Sequence, residues 1–115
     1  MNSLKTSIII GLTEKIQIIG RAMQKEVSAK IDTGATKSSL DKRIVDDLNL
    51  GPIIKSKIVK SAHGTGIRPV IEAEIKIAGK HIKAEFTIAD RIHMKYPVLI
   101  GQNILKIGFL IDPNK

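Results

Sequence analysis

The chain has no cysteine and no tryptophan, and its aromatic residues make up only 3% of 115 residues. The absence of cysteine excludes disulfide bonds and thiolate zinc sites. With so few rings, the core is expected to consist of aliphatic side chains, and isoleucine alone supplies 22 residues. Because β-branched side chains are stiff and pack well on pleated surfaces, this composition favours β-structure.

Long hydrophobic runs are also absent, so we expect no membrane span and no membrane partner. The apolar stretch at residues 7–12 is shorter than the core of a typical signal peptide, which predicts no secretion signal. Together with the lack of cysteine, this favours a cytoplasmic protein. The length suits a single domain over residues 1–115, with disordered ends at residues 1–5 and 113–115.

Acidic residues are in the minority, 11 against 19 basic ones, and the formal net charge is +8. Such a charge attracts polyanions of several kinds. Fifteen of the basic residues are lysines scattered along the chain, without the arginine clusters or interleaved aromatics of a specific nucleic-acid surface. No specific nucleic-acid contact is predicted, and a basic RNA-associated protein is kept as an alternative.

Short apolar runs between turn signals predict strands. Alternation is clearest at residues 70–77, and a second alternating run at 81–88 follows Ala78-Gly79-Lys80, which predicts a β-hairpin. Residues 41–48 and 102–107 have helical spacing. The sequence therefore predicts an all-β barrel or sandwich with one or two short helices. The other predicted strands are residues 16–19, 27–31, 53–59, 98–100 and 109–111.

One predicted strand ends directly in Asp32-Thr33-Gly34, which brings a carboxylate into a tight turn. Glycine permits the close backbone course and leaves its N–H near the carboxylate, while the threonine hydroxyl can brace the turn. Asp-Thr-Gly alone is a common tripeptide and can be a plain β-turn. Its position before a Gly-containing tip at residues 61–66 and before Val98-Leu99-Ile100-Gly101 resembles the layout of retropepsin-like aspartic proteases. That resemblance implies a closed acid-protease barrel, in which the tip would be a flap over the substrate.

A narrower resemblance extends over residues 25–113, in five blocks that lie at 30–40, 68–70, 86–91, 94–101 and 109–113. These blocks look like the retropepsin-like family named ATP-dependent zinc proteases. That family is linked with ATP-grasp enzymes that add glutamates to a ribosomal protein or a cofactor, which implies a functionally linked ATP-grasp ligase and a glutamate-rich substrate. Asp41 and Gln102 stand where many relatives are expected to have His and Arg.

The chain offers little for zinc. It has no His-Glu-x-x-His, and His63, His81 and His93 lie on three separate predicted segments. No metal or other cofactor is predicted. A metal held by Asp32 and histidines that folding brings together is kept as an alternative.

Aspartic proteases use two carboxylates that share one proton, because two like charges a few ångströms apart cannot both ionise. The chain has one Asp-Thr-Gly, and no other aspartate precedes Thr-Gly or Ser-Gly. The second carboxylate must then come from another copy, which predicts a symmetric homodimer. The alternative from a different class is a dimeric module on the same fold that binds without catalysis.

The leading interpretation is thus an aspartic endopeptidase, with Asp32 catalytic and with Thr33 and Gly34 shaping its turn. Basic residues along the chain would receive an acidic or glutamate-rich peptide, because Arg binds carboxylates through paired hydrogen bonds and Lys as a point charge. The predicted substrate-binding residues are Ala35, Lys37, His63, Gly64, Arg68, Arg91, Lys95 and Tyr96.

Overall fold

The computed structural model describes residues 7–61 and 64–115. His63 and the predicted disorder of residues 1–5 lie outside the described residues. The strands are β1 (Ile8–Ile10), β2 (Thr13–Ile19), β3 (Gln24–Ile31), β4 (Ser38–Asp41), β5 (Ile53–Ser61), β6 (Gly64–Ile77), β7 (Lys80–Ala89), β8 (Val98–Ile100) and β9 (Phe109–Ile111). The helices are α1 (Lys42–Asp47) and α2 (Gln102–Leu105).

Six strands close into a barrel in the hydrogen-bonded order β2-β3-β8-β4-β7-β6, and β6 pairs back onto β2. Strand β5 extends the sheet beyond β6 as the second arm of a hairpin. Strands β1 and β9 form a separate parallel pair. The predicted closed all-β barrel with two short helices is confirmed. Within the described part of the chain, no helix is long and apolar enough to span a membrane.

The β6–β7 hairpin follows the predicted alternation. Ile71, Ala73, Ile75 and Ile77 are all at most 4% exposed, whereas the intervening Glu72, Glu74 and Lys76 reach the surface. Ala78 and Gly79 form the turn between the paired residues Ile77 and Lys80, and both have positive φ, 50° and 81°. Two-residue hairpin turns of this kind match the right-handed twist of the strands they join.

The core is aliphatic, as the composition predicts, with Phe86 as its one fully buried ring among the described residues. It fills the barrel with side chains from β2, β3, β6, β7 and β8, and it continues under both helices through Ile44, Val45, Ile104 and Leu105. Burial of this apolar surface stabilises the frame that holds the ends of β3 and β8 in place.

Two strands were missed by the sequence analysis. Strand β1 is a run of three isoleucines without alternation, and β4 reads Ser-Ser-Leu-Asp. All four residues of β4 are buried, because hydrogen bonds satisfy its polar groups; Ser39 Oγ, for instance, donates to the carbonyl oxygen of Thr87 at 3.3 Å. At the end of the chain, Lys115 Nζ donates to the carbonyl oxygen of Ile9 at 2.7 Å. The disorder expected for residues 113–115 stays a prediction.

Candidate active site

Asp32 is the first residue after β3, at the point where this strand leaves the barrel sheet. Strand β8 lies between β3 and β4, parallel to the first and antiparallel to the second. The backbone N–H of Asp32 donates to the carbonyl oxygen of Ile100 at 2.9 Å, so the last residue of β8 holds the start of the turn. The apolar strand before Gly101 therefore supports the Asp-Thr-Gly turn.

The turn itself orients the carboxylate. The N–H of Gly34 donates to Oδ1 of Asp32 at 2.9 Å, and the N–H of Ala35 donates to the carbonyl oxygen of Asp32 at 3.3 Å. A Cβ on Gly34 would lie 3.3 Å from the same Oδ1, which is tighter than ordinary contact. Asp32 is half-buried, whereas Thr33 and Gly34 are exposed. The carboxylate is thus held by its own turn at an accessible surface.

Gly101 allows the segment after β8 to pack directly against the loop that follows the turn. A Cβ at this position would lie 2.8 Å from the carbonyl oxygen of Ala35 and would collide with the carbonyl group of Lys37. The next two backbone N–H groups then bind the loop: Gln102 donates to Ala35 at 2.8 Å, and Asn103 donates to Thr36 at 3.2 Å. Only glycine fits an approach this close.

A buried polar network also holds the segment that begins at Gly101 against the loop after the turn. Ser38 Oγ donates to Oδ1 of Asn103 at 2.7 Å and accepts from the N–H of Gly101 at 2.9 Å. Nδ2 of Asn103 donates to the carbonyl oxygen of Glu85 on β7 at 3.0 Å. Among the described residues, no buried side-chain nitrogen or oxygen lacks a hydrogen-bond partner. A fully satisfied network of this kind rigidifies the site it supports.

Asp41 and Gln102, the two positions that depart from the family pattern, both form hydrogen bonds within the chain. Nε2 of Gln102 donates to the carbonyl oxygen of Thr33 at 2.7 Å. The carboxylate of Asp41 is buried, and its Oδ1 accepts from the N–H of Arg91 at 2.7 Å and from Nη2 of Arg43 at 2.6 Å. Both residues therefore act on the geometry of the site.

A cleft of about 430 Å³ lies beside the turn. It brings together Gly34 and four of the predicted substrate-binding residues, Ala35, Lys37, Arg68 and Arg91. Five basic side chains line it, and no carboxylate does. A smaller pocket of about 280 Å³ shares Lys37, Lys57 and Thr87 with the cleft, and its lining also includes Glu85 and Phe86. The remaining residues of the cleft lining are Thr36, Ser39, Lys57, Ile58, Val59, Lys60, Thr87 and Leu99.

Two arginines, Arg68 and Arg91, line this cleft close enough to repel each other. Burial, followed by the like charge of Arg68, lowers the pKa of Arg91 from its usual range, although an arginine so placed stays charged. Nε of Arg91 donates to the carbonyl oxygen of Tyr96 at 3.0 Å, which fixes the direction of the guanidinium. A bound anion would relieve the repulsion between the two cations.

Of the other predicted substrate-binding residues, Gly64, Lys95 and Tyr96 fall outside the cleft lining, and His63 lies outside the described residues. Lys95 and Tyr96 pack on each other, with Nζ of Lys95 5.6 Å from the ring centroid, and Tyr96 reaches the site only through its carbonyl oxygen. Gly64 begins β6 at the far end of the β5–β6 hairpin, opposite Ser61. The sequence analysis missed Lys57 and Lys60, which line the cleft from β5. The available signal was that Lys57 lies on the predicted strand 53–59 and Lys60 directly follows it.

Of the histidines that the sequence analysis considered for a metal, His81 and His93 are among the described residues, on β7 and in the segment between β7 and β8. Nε2 of His81 lies 3.7 Å from Oε2 of Glu74, and the two side chains are 60% and 44% exposed. Within residues 7–61 and 64–115, no group of three or more His, Cys, Asp or Glu residues is arranged to hold a metal ion. Within these residues no histidine is hydrogen-bonded to the carboxylate of Asp32, which accepts from the N–H of Gly34.

Comparison with known proteins identifies the family of the chain. The model of the RimB-like family, described as retropepsin-like aspartic endopeptidase RimB, matches residues 46–115. The match includes Arg68, Arg91 and β8, while Asp32 lies before it. No curated protein matches the chain. The names of the matches mention neither zinc nor an ATP-grasp enzyme, so those implications of the sequence resemblance stay predictions.

Solved structures confirm the retropepsin-like barrel. A Legionella pneumophila protein of unknown function is 26% identical, with a TM-score of 0.65 over 93% of this chain and 94% of that one. The EIAV protease in complex with an inhibitor is 23% identical, with a TM-score of 0.66 over 83% and 85% of the two chains. The simian foamy virus protease is 19% identical, with a TM-score of 0.61 over 82% and 91%.

Proposed function

Because the chain belongs to the RimB-like family of retropepsin-like aspartic endopeptidases, we propose that it hydrolyses peptide bonds as a symmetric homodimer in which Asp32 is the catalytic carboxylate. The observation that carries this proposal is the geometry of the turn. A carboxylate at the end of a barrel strand, bound by the N–H of Gly34 and supported by Ile100, is oriented and accessible at once. Each chain supplies one such carboxylate, so the reaction needs two copies.

The chemistry follows from two Asp32 carboxylates that share one proton across the twofold axis. The ionised carboxylate takes a proton from water while the water oxygen attacks the carbonyl carbon of the scissile bond. The protonated carboxylate donates its proton to the carbonyl oxygen. When the tetrahedral species collapses, the first carboxylate gives its proton to the leaving amine, and the second recovers one from the new carboxylic acid. The shared proton is thereby restored.

We propose acidic peptides, and glutamate-rich ones in particular, as the substrate class. The five basic side chains in the cleft lining, with no carboxylate among them, support this choice. In a cleft with low-dielectric walls, such a cluster attracts negative charge far more strongly than scattered surface lysines do. A glutamate-adding ATP-grasp ligase, which the sequence resemblance links with such proteins, would supply a substrate of this kind.

The test is peptide cleavage followed by mass spectrometry. Wild type, Asp32→Asn and the control Asp46→Asn, which changes an exposed carboxylate on α1, are incubated with an oligo-glutamate peptide and an unstructured neutral protein. The assay is run from acidic to neutral pH, with and without a chelator. Cleavage of the acidic peptide by wild type and by Asp46→Asn, lost in Asp32→Asn and indifferent to chelator, is expected.

Other outcomes separate the alternatives. Cleavage abolished by chelator would support the zinc interpretation instead of the shared-proton mechanism. Peptide binding without cleavage would support a non-catalytic module on the same fold. Preferred cleavage of the neutral protein would refute the acidic substrate class while leaving the aspartic mechanism. An affinity for RNA that collapses steeply with salt, without any peptide binding, would support the RNA-associated alternative.

A further inference from the structure

We propose that Gln102 is a positioning residue for the catalytic turn, which its side-chain amide braces through a hydrogen bond without adding a charge beside Asp32. This inference rests on the proposed function, since it assigns Gln102 a part in the same reaction. The contact is the one from Nε2 of Gln102 to the carbonyl oxygen of Thr33, at 2.7 Å.

Gln102 holds the Asp-Thr-Gly turn at Thr33 and the loop directly after it at Ala35. Its backbone N–H donates to the carbonyl oxygen of Ala35 at 2.8 Å, and its side-chain amide donates to that of Thr33. The backbone contact fixes where the side chain starts, and the close packing of Gly101 on the loop fixes the backbone. A side chain anchored in this way loses little conformational entropy when it forms its second hydrogen bond.

The apex of the turn has little other support. Thr33 and Gly34 are exposed, and the hydrogen bond between the Gly34 N–H and Asp32 lies within the turn itself. Among the described residues, Gln102 is the one outside the turn whose side chain hydrogen-bonds to Asp32, Thr33 or Gly34. A displacement of about 1 Å at a reacting group can cost about a hundredfold in rate, so a single brace at this point matters.

The neutral charge of the amide is the second part of the inference. The family pattern suggests an arginine here, and a guanidinium would make the same hydrogen bond while placing a full positive charge near the carboxylate pair. A positive charge favours the ionised form of a neighbouring carboxylate. Glutamine therefore makes the hydrogen bond without adding a positive charge beside the carboxylate.

Steady-state kinetics on the acidic peptide test the brace. Gln102→Met keeps the length of the side chain and removes the donor, and Gln24→Met changes an exposed glutamine on β3 as the matched control. We expect kcat of Gln102→Met to fall about tenfold with KM within about twofold of wild type, because Gln102 lies outside the cleft lining. An unchanged kcat, or a loss confined to KM, would overturn the proposal.

Gln102→Arg tests the charge and provides a rescue. It restores the donor, so kcat at the optimum should return to within about threefold of wild type, whereas the whole pH–rate profile should move to lower pH. A purely structural role would give a rescue without a pH shift. A rescued variant whose profile coincides with that of wild type would therefore refute the part played by charge.

Amide hydrogen exchange separates a failure of this inference from a failure of the proposed function. In Gln102→Met, the amides of Gly34 and Ala35 should exchange at least about fivefold faster than in wild type, while the Ile75 amide in the core is unchanged. Equal exchange at Gly34 would refute the brace whatever the activity. Faster exchange in a protein whose wild type cleaves nothing would refute the proposed function and leave the brace standing.

Discussion

Asp41 holds both ends of the segment that carries Arg91 into the cleft. Its Oδ1 accepts from the N–H of Arg91 at 2.7 Å, and its own backbone N–H donates to the carbonyl oxygen of Pro97 at 2.9 Å. The guanidinium of Arg43 pairs with the same carboxylate oxygen. Since Asp41 is buried at the end of β4, the segment from Arg91 to Pro97 is tied to the barrel and not left as a free loop.

Replacing Asp41 should loosen this segment and weaken substrate binding. Asp41→Ala leaves the N–H of Arg91 without its acceptor, which should lower the free energy of unfolding by about 1–3 kcal/mol. Urea unfolding measures the loss, with Asp46→Ala on α1 as the control. Where the variant stays folded, KM for the acidic peptide should rise more than kcat falls. A variant as stable as wild type would contradict the anchoring role.

The Arg68–Arg91 pair should decide the preference for acidic substrate. Arg91→Met removes the half-buried guanidinium, and we expect KM for the acidic peptide to rise about tenfold, the equivalent of one charge-assisted hydrogen bond. Cleavage of a neutral peptide should change little. Arg21→Met, which removes an exposed arginine outside the cleft lining, serves as control. An equal rise in KM for the acidic and the neutral peptide would show that Arg91 does not discriminate substrates by their charge.

Gly101 should tolerate no side chain. A Cβ there would collide with the carbonyl group of Lys37, so Gly101→Ala has to displace the loop that follows the catalytic turn. The free energy of unfolding should fall by about 1–3 kcal/mol, and activity should be lost more severely than stability. Gly66→Ala is the matched control for the unfolding measurement alone, because a Cβ at that position meets nothing within 4 Å but the residue lies in the predicted flap. Denaturant unfolding and the peptide assay check both effects.

Acid should remove the contribution that the ion pair between Asp90 and Arg43 makes to the free energy of unfolding. The hydrogen bond from Arg43, followed by that from the N–H of Ile92, lowers the pKa of Asp90 below its usual value of 3.8. A carboxyl whose pKa is lower in the folded state stabilises the protein above its unfolded-state pKa, and this stabilisation is lost as pH falls through the folded-state pKa. The contribution is therefore complete at neutral pH and disappears below about pH 4.

Asp90→Asn isolates this effect. The variant should be less stable than wild type at pH 7, and the difference should shrink as the pH is lowered from about 4 towards 2. Urea unfolding of both proteins at a series of pH values gives the comparison. For the control Asp46→Asn, the free energy of unfolding should depend on pH as it does in wild type. A difference that grows on acidification would have the wrong sign for a lowered pKa.

The sequence predicted the parts of the fold in which pattern and burial coincide. Residues 71–77 alternate because one face of β6 lies in the core, and the Ala78-Gly79 turn follows from the need for positive φ. Strand β4 escaped prediction because its buried residues are polar and depend on partners far along the chain, such as Asn103 for Ser38. Hydrophobic periodicity carries no information about such pairs.

The candidate site was predictable in its motif and less so in its surroundings. The motif Asp32-Thr33-Gly34 predicted the turn. Arg68 and Arg91 were identified by their charge, although only folding brings them to one cleft. The roles of Asp41 and Gln102 could not be read from the sequence, because each depends on a carbonyl or N–H group that is distant in the chain or set by the turn. Because nearly every residue has a backbone N–H and a carbonyl oxygen, residue type does not indicate which of these groups a side chain will bind.

The most direct test of the central claim is a subunit-mixing assay. Asp32→Asn is added to a fixed amount of wild type at concentrations that keep both dimeric, and the rate of acidic-peptide cleavage is followed. Because a mixed dimer has one carboxylate in place of two, an equal amount of the variant should lower the rate by about half, and an excess should abolish it. A rate that stays constant as Asp32→Asn is added would contradict a catalytic pair shared between two copies.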